Sequence, residues 1–266
     1  MKNPCSFHGI GTLFTISVFS LLFIFDLSLA QVNTETLRAG TQNDGFHFTT
    51  DFSFGLSEGN VRYLNLLGNV RVDYQKGNNS SFAVIQYSRG TQEGDLYRNA
   101  GFVSFRNTYY IRPAVGLEAF AQQQFDDFIR LRDRKLAGSG FRLRLIDYQN
   151  EDETKKLQFH LGVGGMYEYE DINTTISEQT SLIRSTNYIS VQWRATDRVN
   201  INAVSYYQVA VSKLSDFRNL LESSLEVKLA ESIALTVGVN HRYDSNPPAG
   251  VDPYDIQVRN GLRLLF

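Results

Sequence analysis

The sequence predicts an all-β protein, an antiparallel up-and-down transmembrane β-barrel of about twelve strands preceded by a signal peptide. Three observations predict it. The last residues alternate without a break: Ile256, Val258, Asn260, Leu262, Leu264 and Phe266 on one face, Asp255, Gln257, Arg259, Gly261, Arg263 and Leu265 on the other. That is the period-2 pattern of a strand with different solvents on its two sides. The N-terminus reads as an export signal. Between the two lie long alternating segments separated by few residues.

The signal peptide is placed at residues 1–30. Lys2 precedes an apolar stretch from Thr12 to Phe25, and Ser28-Leu29-Ala30 supplies small residues for cleavage before Gln31. Asp26 interrupts the run before it reaches the roughly 20 apolar residues of a membrane-spanning helix. Cys5 lies ahead of the apolar core, so it is not a lipoprotein cysteine, and it is the sole cysteine of the 266-residue chain. An exported chain without disulfides fits an outer-membrane barrel better than a small secreted domain. Net charge is −2, with no basic patch to suggest nucleic acid. Mean hydropathy is slightly negative, which excludes a helical membrane protein but not a barrel, half of whose strand residues face a polar lumen. Abundant Tyr and Phe suit interfacial girdles.

Residues 31–44 read as a short periplasmic lead-in and 45–266 as the barrel. The first strand (45–58) sets Phe46, Phe48, Phe52, Phe54 and Leu56 against His47, Asp51 and Ser53. The second (61–75) sets Leu64, Leu66, Val70 and Val72 against Asn65, Asn69, Arg71 and Asp73. The third and fourth cover 80–89 and 96–111. The fifth (114–128) sets Leu117, Ala119 and Ala121 against Glu118 and Gln122. The sixth (132–148) sets Phe141, Leu143 and Leu145 against Gly140, Arg142 and Arg144. In the seventh (156–170), Leu157, Phe159, Leu161, Val163, Tyr167 and Tyr169 oppose Gln158, His160, Gly162, Gly164, Glu168 and Glu170. The eighth (181–195) sets Ile189, Val191 and Trp193 against Ser190, Gln192 and Arg194. The ninth (198–212), tenth (217–230) and eleventh (232–244) alternate likewise, and the twelfth ends at Phe266.

Such segments suffice to span a bilayer when tilted, and an open sheet would leave unpaired edges in lipid. An even strand count puts both termini on the periplasmic side. Tight turns are expected there at Arg112-Pro113, Ala195-Thr196-Asp197 and Ala230-Glu231, with longer ones at 76–79 and 149–154. Outer loops are expected at 170–180 and 245–253, the latter holding Asn246-Pro247-Pro248 and Gly250, which break strands. A soluble barrel would carry the same alternation turned inside out. The export signal, the strand lengths beyond the soluble mode and the end at Phe266 favour the membrane.

The stretch from Leu117 to Leu145 has a strand rich in acid and glutamine, an Asp near its tip, an Arg soon after and a glycine-spaced return. Through Glu118, Gln122, Gln124, Asp127, Arg134, Gly138 and Gly140 it resembles the domain of unknown function 481 family, whose members are often called salt-induced outer membrane proteins. The segment from His241 to Pro248 with Asp255 is similar to that family's last hairpin. The resemblance implies a Gram-negative outer-membrane barrel and a link to salt or osmotic stress; it implies no reaction. As partners it implies outer-membrane lipid and lipopolysaccharide, and the barrel assembly machinery through a C-terminal signature of Leu262, Leu264 and Phe266.

No catalytic, cofactor or metal site is expected. After the signal peptide the histidines are His47, His160 and His241, and none has a serine two residues on. Nucleophilic catalysis needs a base within hydrogen-bond reach. The competing reading is a lipid-active hydrolase of the phospholipase or lipid A deacylase type. There is no paired His at metal-ligand spacing, and Asp126-Asp127 and Glu151-Asp152-Glu153 read as solvated turns. The remaining candidates are lumenal: Glu118, Arg142, Arg144, His160, Glu222, Glu226, Arg259 and Arg263. Both signs are present, whereas a selective pore shows a ring of one sign. Two readings stay open, a barrel plugged by internal ion pairs and a narrow passage for small solutes.

Overall fold

The computed structural model describes residues 44–173 and 178–264. The expected signal peptide, nearly all of the lead-in, and Phe266 lie outside the described residues. The rest is twelve strands joined in sequence order: β1 (Gly45–Ser57), β2 (Tyr63–Lys76), β3 (Asn79–Gln92), β4 (Asp95–Arg112), β5 (Val115–Asp126), β6 (Leu131–Gln149), β7 (Lys156–Ile172), β8 (Glu178–Arg194), β9 (Val199–Ala210), β10 (Lys213–Ala230), β11 (Ile233–Asp244) and β12 (Tyr254–Leu264). Each pairs antiparallel with the next, giving one up-and-down sheet. Strand lengths run from 11 to 19 residues, enough for the ~9–11 that a tilted strand needs to cross a bilayer.

Alternation fixes which way each side chain points. Along β7, Val163 and Tyr167 are exposed while His160, Gly162, Glu168 and Glu170 are buried. Along β5, Leu117 is exposed and Glu118, Gln122 and Gln124 are buried. The exposed set includes Phe105, Leu117, Phe141, Val163, Ile183 and Leu262, and the fully buried set includes Arg134, Arg184, Gln124 and Glu168. Greasy side chains therefore cover the outside and ionic ones fill the inside, the reverse of a soluble protein.

The sheet curls until side chains from strands several positions apart meet. Tyr188 on β8 reaches Glu118 on β5, and Arg218 on β10 reaches Glu170 on β7. The curled sheet has β1 and β12 as its margins; among the described residues no ladder joins these two. The interior is not purely polar. Phe82, Val84, Ala100 and Phe102 form one buried apolar cluster, and Tyr188, Val204, Tyr206 and Leu220 another.

Connections differ from expectation in length. At the end that carries Gly45 and Leu264, only 77–78 separate β2 from β3, and Pro113-Ala114 separate β4 from β5. At the opposite end, called here the loop end, β7 extends to Ile172 and β8 begins at Glu178, so both strands run into the expected loop at 170–180. Two residues of that stretch are held in the ladder: Glu170 pairs with Arg134 and Thr180, and Asp171 with Asp133 and Gln179. Loops at this end are not systematically longer: 93–94 and 211–212 are as tight as any turn at the other. The exception is 245–253, which is long as its Pro-Pro and Gly predict.

Candidate lumenal site

The interior divides into three levels. Nearest the loop end, the inward positions of β6, β7, β8 and β10 carry Arg134, Glu168, Glu170, Arg184, Asp216 and Arg218. Arg134 donates from Nε to Glu168 at 3.0 Å, lies 3.0 Å from Glu170, and makes a further contact to Glu168 from its Nη2. Arg184 donates to Glu168 at 2.7 Å from Nε and to Asp216 at 2.8 Å from Nη1. Arg218 donates to Glu168 at 3.0 Å, grips Glu170 with both terminal nitrogens at 2.8 and 2.9 Å, and reaches Asp244 at 2.8 Å. Three guanidiniums thus meet three carboxylates, with Asp244 at the margin. Fork-shaped guanidiniums suit such bidentate contacts, which lysine could not make.

A lid covers this cluster. Asp126 accepts from the Phe128 N–H at 3.0 Å, starting a single 3-10 turn (Asp127–Ile129) that ends at Arg130 with φ 59°. Ile129, Leu131, Pro247, Pro248 and Val251 converge above Arg134, Arg218 and Arg242 and leave a cavity of only about 40 Å³. The loop end is therefore filled.

At mid-height, Glu118 collects three donors from two strands, β4 and β8. Arg106 donates at 3.2 Å, Thr108 at 3.1 Å and Tyr188 at 2.8 Å, while Arg142 donates to the Tyr188 hydroxyl at 2.9 Å. The Arg106 guanidinium lies 4.8 Å from the Phe120 ring centre. Glycine makes room for this layer. A Cβ on Gly162 would fall 2.0 Å from the Tyr188 ring, so the bare backbone there lets the ring lie flat against β7. The space between the central side chains is about 10 Å³.

Towards the end carrying Gly45 and Leu264 the interior opens. Ser190, Gln192, Asn202, Val204, Glu222 and Asn240 line a depression of about 430 Å³ on the inner wall of β8–β11. Glu226 pairs with Arg263, and Arg259 donates to Gln257 at 2.7 Å.

The sequence-predicted residues therefore scatter over two levels. Glu118 and Arg142 meet through Tyr188 at mid-height, and His160 is buried on the same inner face of β7. Glu222, Glu226, Arg259 and Arg263 belong to the open half. Arg144 does not join Arg142. The ladder slips between Arg144 and Ile146, and Arg144 instead donates to Asp147 at 2.8 Å near the strand end. Leu262 and Leu264 are exposed on the outer face of β12. The loop-end cluster holds Arg184, Arg218 and Asp216, which sequence reasoning passed over. Carrying the parity of Ile189, Val191 and Trp193 upstream places Arg184 and Tyr188 inward, so the signal was present.

His241 is flanked in register by Leu221 and Ile256, so neither neighbouring strand sets a hydroxyl opposite it. Among the described residues there is no group of three or more metal-ligating side chains.

A family model described as "Protein of unknown function, DUF481" matches residues 50–266. A solved structure of the NanC porin is similar at 10% identity and a TM-score of 0.43, over 76% of this chain and 94% of that one. No curated protein matches the chain.

Proposed function

We propose that this chain, which belongs to the DUF481 family of proteins of unknown function, is a non-enzymatic β-barrel of the Gram-negative outer membrane whose lumen is closed at rest by an internal ion-pair plug. One observation carries the reading: the charges nearest the loop end are paired with one another and dehydrated, with Arg134, Arg184 and Glu168 each no more than 2% exposed. A conducting filter needs a hydrated path and favours one sign of charge. A balanced, dry cluster offers neither. The apolar exterior suits lipid, where the margins β1 and β12 must find each other, because unpaired backbone groups are not tolerated in hydrocarbon. Lipid and lipopolysaccharide are then the exterior's partners, and the β12 face with Leu262 and Leu264 is the part presented to barrel assembly. Salt or osmotic stress is the setting that the family resemblance implies. A lipid-active hydrolase would need a nucleophile beside an outward histidine, and the surroundings of His241 speak against it.

Planar-bilayer recording tests the plug. The wild type is expected to stay silent or show only rare small openings. Glu168→Gln combined with Arg218→Gln, which removes one charge of each sign, is expected to conduct more often. Steady porin-sized steps from the wild type would overturn the reading. Ester hydrolysis in lipid–detergent micelles is expected to be absent.

A further inference from the structure

We propose that the open half of the lumen is a binding vestibule for a small, uncharged, hydroxyl-rich solute of sugar size. The proposal rests on the plugged-barrel reading, which makes the lumen a blind pocket entered from the end carrying Gly45 and Leu264.

The observation is a contrast between the two halves. At the loop end the charges are spent on one another. In the open half, the registered rows Gln192–Asn202–Ser224–Gly238 and Ser190–Val204–Glu222–Asn240 run across four strands on the inner face. They supply amides and hydroxyls around a single carboxylate. Among the described residues no hydrogen bond engages the side chains of Gln192, Asn202, Ser224 or Asn240, and Asn202 and Ser224 are exposed to the lumen. An amide offers both donors and acceptors, and a hydroxyl does the same. Such a wall matches a ligand whose groups also both donate and accept, which is the chemistry of a polyol or sugar. Among the described residues no arginine lines it: Arg259, opposite Gly238 on β12, is hydrogen-bonded to Gln257, and Arg263 is paired with Glu226. The wall therefore lacks the Arg cluster that anions select and the aromatic cage that quaternary ammonium ions select. The volume, about 430 Å³, falls within the roughly 300–1,000 Å³ of ligand sites. Ser190 and Val204 are buried at its base, and Tyr206, two residues from Val204 on the same face, stands on the side of the mid-height layer.

Gly238 provides the test. It lies within the depression, and a Cβ there would meet nothing nearer than the Ser223 carbonyl at 3.8 Å. A Cβ is accommodated there, so a large side chain at this position enters the depression. Calorimetric titration of the full barrel in lipid nanodiscs would use sucrose, glucosamine and gluconate as neutral, cationic and anionic probes. Saturable sucrose binding is expected, at least tenfold tighter than either charged probe. Gly238→Phe should abolish it, and Asn202→Ala with Asn240→Ala, which keeps the space open, should weaken it about tenfold, with heat-modifiable gel mobility confirming that both variants fold. No saturable sucrose binding, sucrose binding indifferent to Gly238→Phe, or preference for a charged probe would overturn the proposal. Bilayer recordings on the same preparation keep the two readings apart: a silent barrel that binds no sucrose sinks the vestibule alone, and a conducting one sinks the plug.

Discussion

Glu168 on β7 and Arg218 on β10 belong to strands three apart in the sheet, yet Nη1 of Arg218 donates to Oε2 of Glu168 at 3.0 Å. That contact exists only because the sheet curls tightly enough to bring its own inner face together. Glu168 also accepts from Arg134 and Arg184, so one carboxylate touches three guanidiniums, with Glu170 and Asp216 supplying the other two negative charges. Removing a single partner from a buried charge cluster costs more than the cluster contributes, since the remaining charges stay buried. Glu168→Gln is expected to destabilise the barrel by about 3–5 kcal/mol. Urea unfolding in lipid vesicles, followed by gel mobility, measures it.

The two-pronged contact between Arg218 and Glu170 should be strongly coupled. A double-mutant cycle through Arg218→Met and Glu170→Gln is expected to give a coupling energy above about 1.5 kcal/mol, as dehydrated close charge pairs do. The exposed pair Arg62–Glu58, with side chains 67% and 72% accessible, serves as the control and should give no more than about 0.5 kcal/mol.

Tyr188 lies where a Cβ on Gly162 would be. Gly162→Ala is expected to push the ring off β7, break its hydrogen bonds with Glu118 and Arg142, and cost about 1–3 kcal/mol of unfolding free energy. In a Tyr188→Ala background the same change should cost almost nothing, because the clash is gone. Equal costs in the two backgrounds would refute the steric link.

Depth along the barrel should govern the outer face. Val163 lies in the middle of β7 and Leu229 at the end of β10, and both are exposed. Arginine facing lipid costs about 2–4 kcal/mol at the midplane and about 0–1 near the interface. Val163→Arg should therefore lower stability by the larger amount and Leu229→Arg by the smaller, in unfolding titrations from the same vesicles.

The strands were legible because each inner and outer face differs in polarity along most of its length. The run from Leu157 to Tyr169 sets its own register, and the observed strand begins where the alternation does. Three things were less legible. Apolar residues that face inward, such as Val84, Met166 and Val204, break the two-solvent rule, because a curling sheet buries some interior positions against neighbours and not against water. The bulge between Arg144 and Ile146 reverses parity locally, and nothing in Leu143-Arg144-Leu145-Ile146 announces it. The plug required knowing that β7 and β10 come face to face, a property of curvature that no period along one strand encodes. Candidates chosen by charge alone therefore included Glu118 and Arg142, which are buried, but not Arg184 and Arg218, which are buried too.

The chain has one tryptophan, and it reports on orientation directly. Trp193 lies on the outer face of β8, 45% exposed, two residues beyond outward Val191 and next to inward Gln192. With the barrel inserted into vesicles, its emission should be blue-shifted, strongly quenched by brominated acyl chains and little affected by aqueous iodide, as befits an interfacial aromatic. Emission quenched by iodide and untouched by brominated lipid would mean that the apolar face does not meet the membrane.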